Sequence, residues 1–286
     1  MTVNFVAEVS SNHNQDLDRC YQFIETAART GCTAVKFQLF RLDRLFAPCV
    51  LRHSAEHRQR RNWELPIEFL PHLHAKCQEY NISFACTPFY LEAVEKLAPY
   101  VTFYKIASYE ILRQDLLAAC AGTGKPVVLS TGMATLDEID TAVDTLKQGG
   151  CRDITLLHCV SAYPVPPDQC NLAIMETLRQ RYGCPVGWSD HSVSPAVIYR
   201  AVHRWRASMV EFHLDLDGQG VEYKQGHCWL PSPAGMMIET VCTGSLADGR
   251  PKKSIAHSEA ADREWRSDPA DGLRPLSSTR KKLKNK

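Results

Sequence analysis

The chain has 286 residues, 44% of them hydrophobic and 23% charged, the profile of a soluble globular protein rather than a disordered or fibrous one. No apolar run approaches the ~20 residues that span a bilayer, and the start MTVNFVAEVSSNH has neither a basic leader region nor a signal-type cleavage site. A cytoplasmic protein without a membrane partner is therefore expected. The formal net charge of +1 hides an asymmetry, since residues 250–286 hold 11 Lys/Arg against 5 Asp/Glu, leaving 22 against 27 before them. With no interleaved aromatic residues and no RNA-binding signature, this basic end reads as a short, partly disordered tail rather than a nucleic-acid site.

In chain order, short apolar runs alternate with longer helix-compatible stretches from residue 3 to about 245, which predicts βα units around a parallel sheet. Eight strands are predicted, at 3–9, 34–38, 82–87, 103–108, 126–131, 154–159, 185–190 and 207–214. Asp16 or Asp18 is placed to cap a helix running to Thr30, and Thr135 with Glu138 forms a capping-box pattern for a helix ending at Gly149 and Gly150. Residues 40–63 form a long Arg- and His-rich connection, a kind of segment that is commonly functional or mobile. The division this implies is a (β/α)8 barrel over 1–249 and a tail over 250–286. The twelve cysteines, scattered through apolar segments without paired spacing, read as reduced core residues.

In a barrel of this kind the chemistry gathers at the C-terminal strand ends. Polar residues interrupt nearly every predicted strand there: Glu8, Lys36 with Gln38, Thr87, Lys105 with Ser108, Ser130 with Thr131, His158 followed by Ser161 and Tyr163, Ser189-Asp190-His191, and His213. Taken singly, each is as well explained as a strand-end residue capping the next helix. Two strand-end lysines beside hydroxyls suit an anion such as phosphate or carboxylate; a Schiff-base lysine at 36 or 105 is the rival reading. His191 and His213 end consecutive predicted strands, where their imidazoles can share a divalent metal, with Asp190 and Glu211 as outer partners. Glu8, a carboxylate flanked by Val6, Ala7 and Val9, is the best acid/base candidate, and a salt bridge to Lys36 or Lys105 is compatible with that role.

The segments AEVSSNHNQD (7–16), AVKFQ, ACTPF (85–89), YKIAS, LSTGMAT (129–135), LHCVSAYP (157–164) and GWSDHS (187–192) together resemble the N-acetylneuraminate (sialic acid) synthase family, which includes legionaminic and pseudaminic acid synthases. The resemblance runs from residue 3 to about 214 and implies a (β/α)8 barrel. It also implies condensation of phosphoenolpyruvate with an N-acylated amino-sugar aldehyde, releasing phosphate. By the same resemblance, His191 and His213 would hold manganese, magnesium or cobalt. Glu8, Lys36, Lys105 and Tyr163 would form the catalytic set. Thr87, Ser108, Ser130 and Ser161 would join the lysines around phosphoenolpyruvate, while Gln38, Glu110, Asp190, Glu222 and Tyr163 would face the sugar.

Three departures qualify the likeness. Ser161 stands in SAYP where the family has Asn, and LDLDGQGVEYKQGHCWLPSP after His213 replaces an acidic, proline-rich segment, with Glu222 in place of an aspartate. The family's C-terminal antifreeze-like domain is not recognisable in the residues after the barrel, so Arg263, Arg266, Arg274 or an arginine of the 40–63 connection is expected to cap the sugar site. A homodimer through barrel helices is compatible with this reading. The alternatives are a pyruvate-dependent Schiff-base aldolase and a non-catalytic sugar-phosphate or partner-binding barrel.

Overall fold

The computed structural model describes residues 3–284. Its first compact unit, ending at Leu246, is a closed barrel of eight parallel strands: β1 (Asn4–Glu8), β2 (Ala34–Leu39), β3 (Ser83–Pro88), β4 (Phe103–Ile106), β5 (Val127–Ser130), β6 (Ile154–Cys159), β7 (Val186–Asp190) and β8 (Met209–Leu214). Each strand pairs with the next, and β8 closes the ring on β1 with Glu8 opposite His213. All eight predicted strands are present, shifted at their ends by one or two residues. A short ninth strand, β9 (Cys228–Trp229), lies parallel to the end of β8 with Cys228 opposite His213.

The predicted helix signals hold. The helix Leu17–Arg29 begins at Asp16, whose side chain accepts from Arg19 N, and it stops at Thr30 before Gly31 at φ +93°. The helix Leu136–Gln148 carries the full Thr135/Glu138 capping box. Residues 40–63 differ from a bare loop. They fold into the short helices Leu42–Leu45, Pro48–His53 and Ala55–Gln59 and the turn Arg60–Trp63. Arg58 donates to the carbonyls of Leu51 and Arg52, and Arg60 lies over the rings of Phe46 and Trp63, so these basic side chains hold the connection itself together.

Inside the barrel, Val6, Ala34, Ala85, Phe103, Val128, Leu157 and Met209 form an apolar floor. Successive strand residues alternate in and out, so the next inward layer is Glu8, Lys36, Thr87, Lys105, Ser130, Cys159, Ser189 and Glu211. The floor keeps this charged layer dry from below, and the outward residues pack against the helices in one large core. All twelve cysteines are free, and nine are buried. No helix among the described residues is long and apolar enough to cross a membrane.

Ala247–Lys286 forms a second compact unit. It carries the helices Ala260–Arg263 and Ser277–Lys284, and Asp268 accepts from Ala270 N and Ser277 N, where the sequence suggested a partly disordered tail.

Gly187 shows how tightly the barrel wall closes. A Cβ there would stand 2.3 Å from Met209 O and 2.7 Å from Leu157 Cδ2. Gly187→Ala must push β8 backbone, and its expected cost is about 1–3 kcal/mol, the scale of core overpacking. A thermal melt should show a lower midpoint; an unchanged one would contradict the strand approach described.

Candidate active site

The inward layer brings four charges together. Lys36 Nζ lies 2.5 Å from Glu8 Oε2 and 3.8 Å from Glu211 Oε2, and Lys105 Nζ lies 3.5 Å from Glu211 Oε1. All four residues are at most 5% exposed. Burial works against the charge on Lys36, yet Glu211 and Glu8 overcome it and hold its pKa above the ordinary value. Burial prevails at Lys105 and lowers its pKa despite Glu211. Glu211 is also buried, but Lys105 and Lys36 keep it below the usual carboxylate range. The predicted Glu8 salt bridge is therefore present, while Glu211 emerges as the carboxylate shared by both lysines.

Hydroxyls surround the lysines. Lys105 donates to Ser130 Oγ at 2.7 Å, Lys36 to Thr87 Oγ1 at 3.4 Å, and Ser189 Oγ to Glu211 Oε1 at 3.2 Å. Beside them Gly132 N donates to Ser108 Oγ at 3.0 Å, and the buried Ser161 Oγ has no partner among the described residues. A Cβ on Gly132 would stand 2.4 Å from Ser161 Oγ and 2.8 Å from Ser108 Oγ, so only glycine leaves this cradle open. Two ammonium groups, five hydroxyls and a glycine opening suit a small, strongly anionic ligand.

A hydrogen-bonded relay leads from this cradle to a second cluster. Gln38 Nε2 donates to Glu8 Oε1 at 2.6 Å and to Ser10 Oγ at 3.2 Å, while Ser10 and Ser11 donate to Glu222 Oε1 at 2.5 and 3.0 Å. Glu222 Oε2 meets His213 Nδ1 at 2.7 Å. Burial opposes the charge on Glu222, but His213 holds its pKa well below the ordinary value. His213, Glu222, His227 and Cys228 each offer a donor atom, all within 4.8 Å of one another. Ligand atoms on opposite sides of one ion with bonds of roughly 2.0–2.3 Å are at most about 4.6 Å apart, so these donors would have to draw slightly closer to share a divalent cation.

That donor group differs from the His191/His213 pair suggested by sequence. The two rings adjoin, with centroids 5.3 Å apart, and His191 Nδ1 is engaged by Val160 O at 3.0 Å, the kind of backbone contact that sets a ring and leaves its Nε2 to a ligand. His227 and Cys228 stand beside that pair on the His213 side. Tyr163 covers the three histidines, its ring centroid 4.2 Å from His191, 5.1 Å from His227 and 6.2 Å from His213, and at 40% exposure it borders solvent.

Of the remaining predicted residues, Glu110 is buried with Oε2 unpartnered among the described residues, and burial pushes its carboxyl up to about 7. Asp190 lies at the end of β7. Its oxygens accept from Trp188 Nε1, Ser192 N and Oγ, Val193 N and Trp229 Nε1, so the carboxylate holds the turn after β7. That turn contains Val193 at φ +50°, a strained position for a β-branched residue. His158 points outward from β6, bonded to Cys170 O at 2.8 Å. His13 is fully buried and burial lowers its pKa to about 4, keeping a neutral imidazole beneath the β1 loop.

Comparison with known proteins agrees with the fold. Residues 23–253 match the model of the NeuB family. The chain is 37% identical over 227 residues to an N,N'-diacetyllegionaminic acid synthase of Campylobacter jejuni, covering 74% of this chain and 67% of that protein. It is 32% identical to a pseudaminic acid synthase of Helicobacter pylori over 74% of this chain and 65% of the other. The chain thus spans about two thirds of the length of these curated relatives. A solved N-acetylneuraminic acid synthetase of Leptospira borgpetersenii superposes with a TM-score of 0.79 at 29% identity, over 95% of this chain and 93% of that one. With the closed barrel, the lysine-lined cradle and this match over most of its length, the chain belongs to the NeuB family.

Proposed function

We propose that this chain condenses phosphoenolpyruvate with an N-acylated amino-sugar aldehyde to give a nonulosonic acid and phosphate. The observation that carries the reading is the pairing of Lys36 and Lys105 with hydroxyls and the Gly132 opening at one end of the barrel mouth, linked through Gln38 and Ser10 to the metal-competent group at the other. The two ends suit two substrates: an anionic enol phosphate and a neutral polyol whose carbonyl needs polarising. The acid synthases named among its relatives support the same reading. Phosphoenolpyruvate is a cytoplasmic metabolite, which argues for that compartment.

C3 of phosphoenolpyruvate bonds to the aldehyde carbon, whose oxygen takes a proton and becomes a hydroxyl. Water then adds at C2 and the bond from C2 to the phosphate oxygen breaks, leaving a 2-keto acid and inorganic phosphate. Lys36 and Lys105 would hold the phosphate and carboxylate, with Thr87, Ser108, Ser130 and Ser161 supplying directed hydrogen bonds. Glu8, held by Lys36 and Gln38, would move protons at C3 or the attacking water. Glu110, uncharged below pH of about 7, would donate to a sugar hydroxyl or to the acyl group. A divalent cation held by His191 and His213, with Glu222 bonded to His213 Nδ1, would act as a Lewis acid beside the aldehyde oxygen. Tyr163, over the histidines, would shield that contact from water.

The direct assay is phosphate release from phosphoenolpyruvate with a divalent metal and a panel of N-acylated hexosamines and their 6-phosphates. Release is expected only with a suitable aldose, and His213→Ala should lower it by about a hundredfold or more, in line with the loss of one charge-stabilising group. A borohydride-trapped pyruvate adduct on Lys105 would instead establish the Schiff-base reading.

Gly132→Ala should displace the Ser108 and Ser161 hydroxyls. The expected result is a KM for phosphoenolpyruvate raised about tenfold or more, the scale of 1–3 kcal/mol of overpacking, with metal affinity unchanged. An unaltered KM would move phosphoenolpyruvate out of this cradle.

A further inference from the structure

We propose that Ser10 is a positioning residue: one hydroxyl, held at a left-handed corner after β1, that aims Gln38 at Glu8 and Glu222 at His213 together. The inference rests on the proposed roles of Glu8 and His213 and adds to them the residue that sets their relative placement.

The backbone shows that this serine is kept for its side chain. Asn12 N donates to Val9 O at 3.0 Å, closing a four-residue turn whose first corner is Ser10 at φ +50°. Ser11, the second corner, is not among the residues of positive φ, so the turn follows the type II′ pattern, whose first corner favours glycine. A serine at that corner carries a steric penalty that glycine would not. A side chain retained against such a penalty points to a task. Ser10 is 7% exposed, and its Oγ accepts from Gln38 Nε2 at 3.2 Å while donating to Glu222 Oε1 at 2.5 Å.

The topology explains the reach of one hydroxyl. Ser10 follows β1, Gln38 lies on β2 and Glu222 comes after β8, so Ser10 stands at the middle of three adjacent strand ends in the closed ring. On one side, Gln38 Nε2 divides its two hydrogens between Ser10 Oγ and Glu8 Oε1, and an amide fixed at both cannot turn away from Glu8. On the other, Ser10 and Ser11 both donate to Glu222 Oε1, which leaves Oε2 to meet His213 Nδ1 at 2.7 Å. A carboxylate in that place sets the ring of a ligating histidine. A hydroxyl has one proton and two lone pairs, so Ser10 accepts from Gln38 and donates to Glu222 together, which no apolar side chain can do. Ser11 reaches Glu222 without a bond to Gln38 among the described residues, so it cannot replace Ser10.

The test compares Ser10→Gly with Ser10→Ala in the full chain. Both remove the hydroxyl, but glycine suits the left-handed corner and alanine does not, so Ser10→Gly should melt at the higher temperature. With an accepted aldose and saturating manganese, both variants should lose kcat for phosphate release by a similar factor of about ten to a hundred, with the KM for phosphoenolpyruvate little changed. Manganese binding without substrates, followed by the electron paramagnetic resonance signal of the free ion, should weaken about tenfold in both. A wild-type kcat in either variant would overturn the positioning role. So would a loss in Ser10→Ala that Ser10→Gly does not share, since that pattern follows strain rather than the hydroxyl, and so would unchanged manganese affinity in both. A wild type that released no phosphate with any aldose would overturn the condensation reading and the Glu8 half of the proposal with it, while the manganese comparison would still decide whether Ser10 holds Glu222 against His213.

Discussion

The buried ring of Glu8, Lys36, Glu211 and Lys105 is the constraint on which the site depends. Moving an ion into a low-dielectric interior costs several kcal/mol, and four such groups persist in the barrel because each faces an opposite charge. Their formal charges cancel, so the protein can close an apolar floor of Val6, Leu157 and Met209 beneath them. The same cancellation shapes ligand binding. An arriving enol phosphate competes with Glu8 and Glu211 for the two ammonium groups, which favours a ligand carrying more than one negative charge over a neutral sugar.

The ring does not stand alone. Glu8 is tied through Gln38 and Ser10 to Glu222, and Glu222 to His213, so the carboxylate proposed to handle protons and the imidazole that would hold a cation belong to one hydrogen-bonded chain. Each member is fixed by the next. The strand ends supply the direction, and the β1 loop, with Ser10 in the left-handed region at φ +50°, supplies the turn that brings its hydroxyl back to Glu222. Asp190 has a different task. By satisfying two indoles and the turn around Val193 it fixes the β7 end next to His191.

Much of this was legible in the sequence, because inward and outward residues of a strand differ sharply in polarity. Lys36, Lys105, Ser130 and Glu8 stand out as polar interruptions in apolar runs, and the eight-strand spacing followed from the same contrast. The strand-end polar residues do not all face inward. Extending the alternation from the floor selects Leu157 then Cys159, Gly187 then Ser189, and Met209, Glu211 then His213, which leaves His158 and Asp190 on the outward face. That count would have put Glu211 at the centre of the site. His227 and Cys228 were not legible in this way. They belong to a two-residue strand after a turn whose sequence departs from the family pattern, and so short a strand has no periodicity. What places them is pairing with β8, a tertiary fact.

The claim that phosphoenolpyruvate reacts at C2 with loss of phosphate is tested most directly with phosphoenolpyruvate carrying oxygen-18 in the bridging position, followed by mass analysis of both products after turnover with an accepted aldose. Cleavage between C2 and the bridging oxygen predicts the label in inorganic phosphate. Label retained in the keto acid would mean cleavage between phosphorus and oxygen and would contradict the condensation described here.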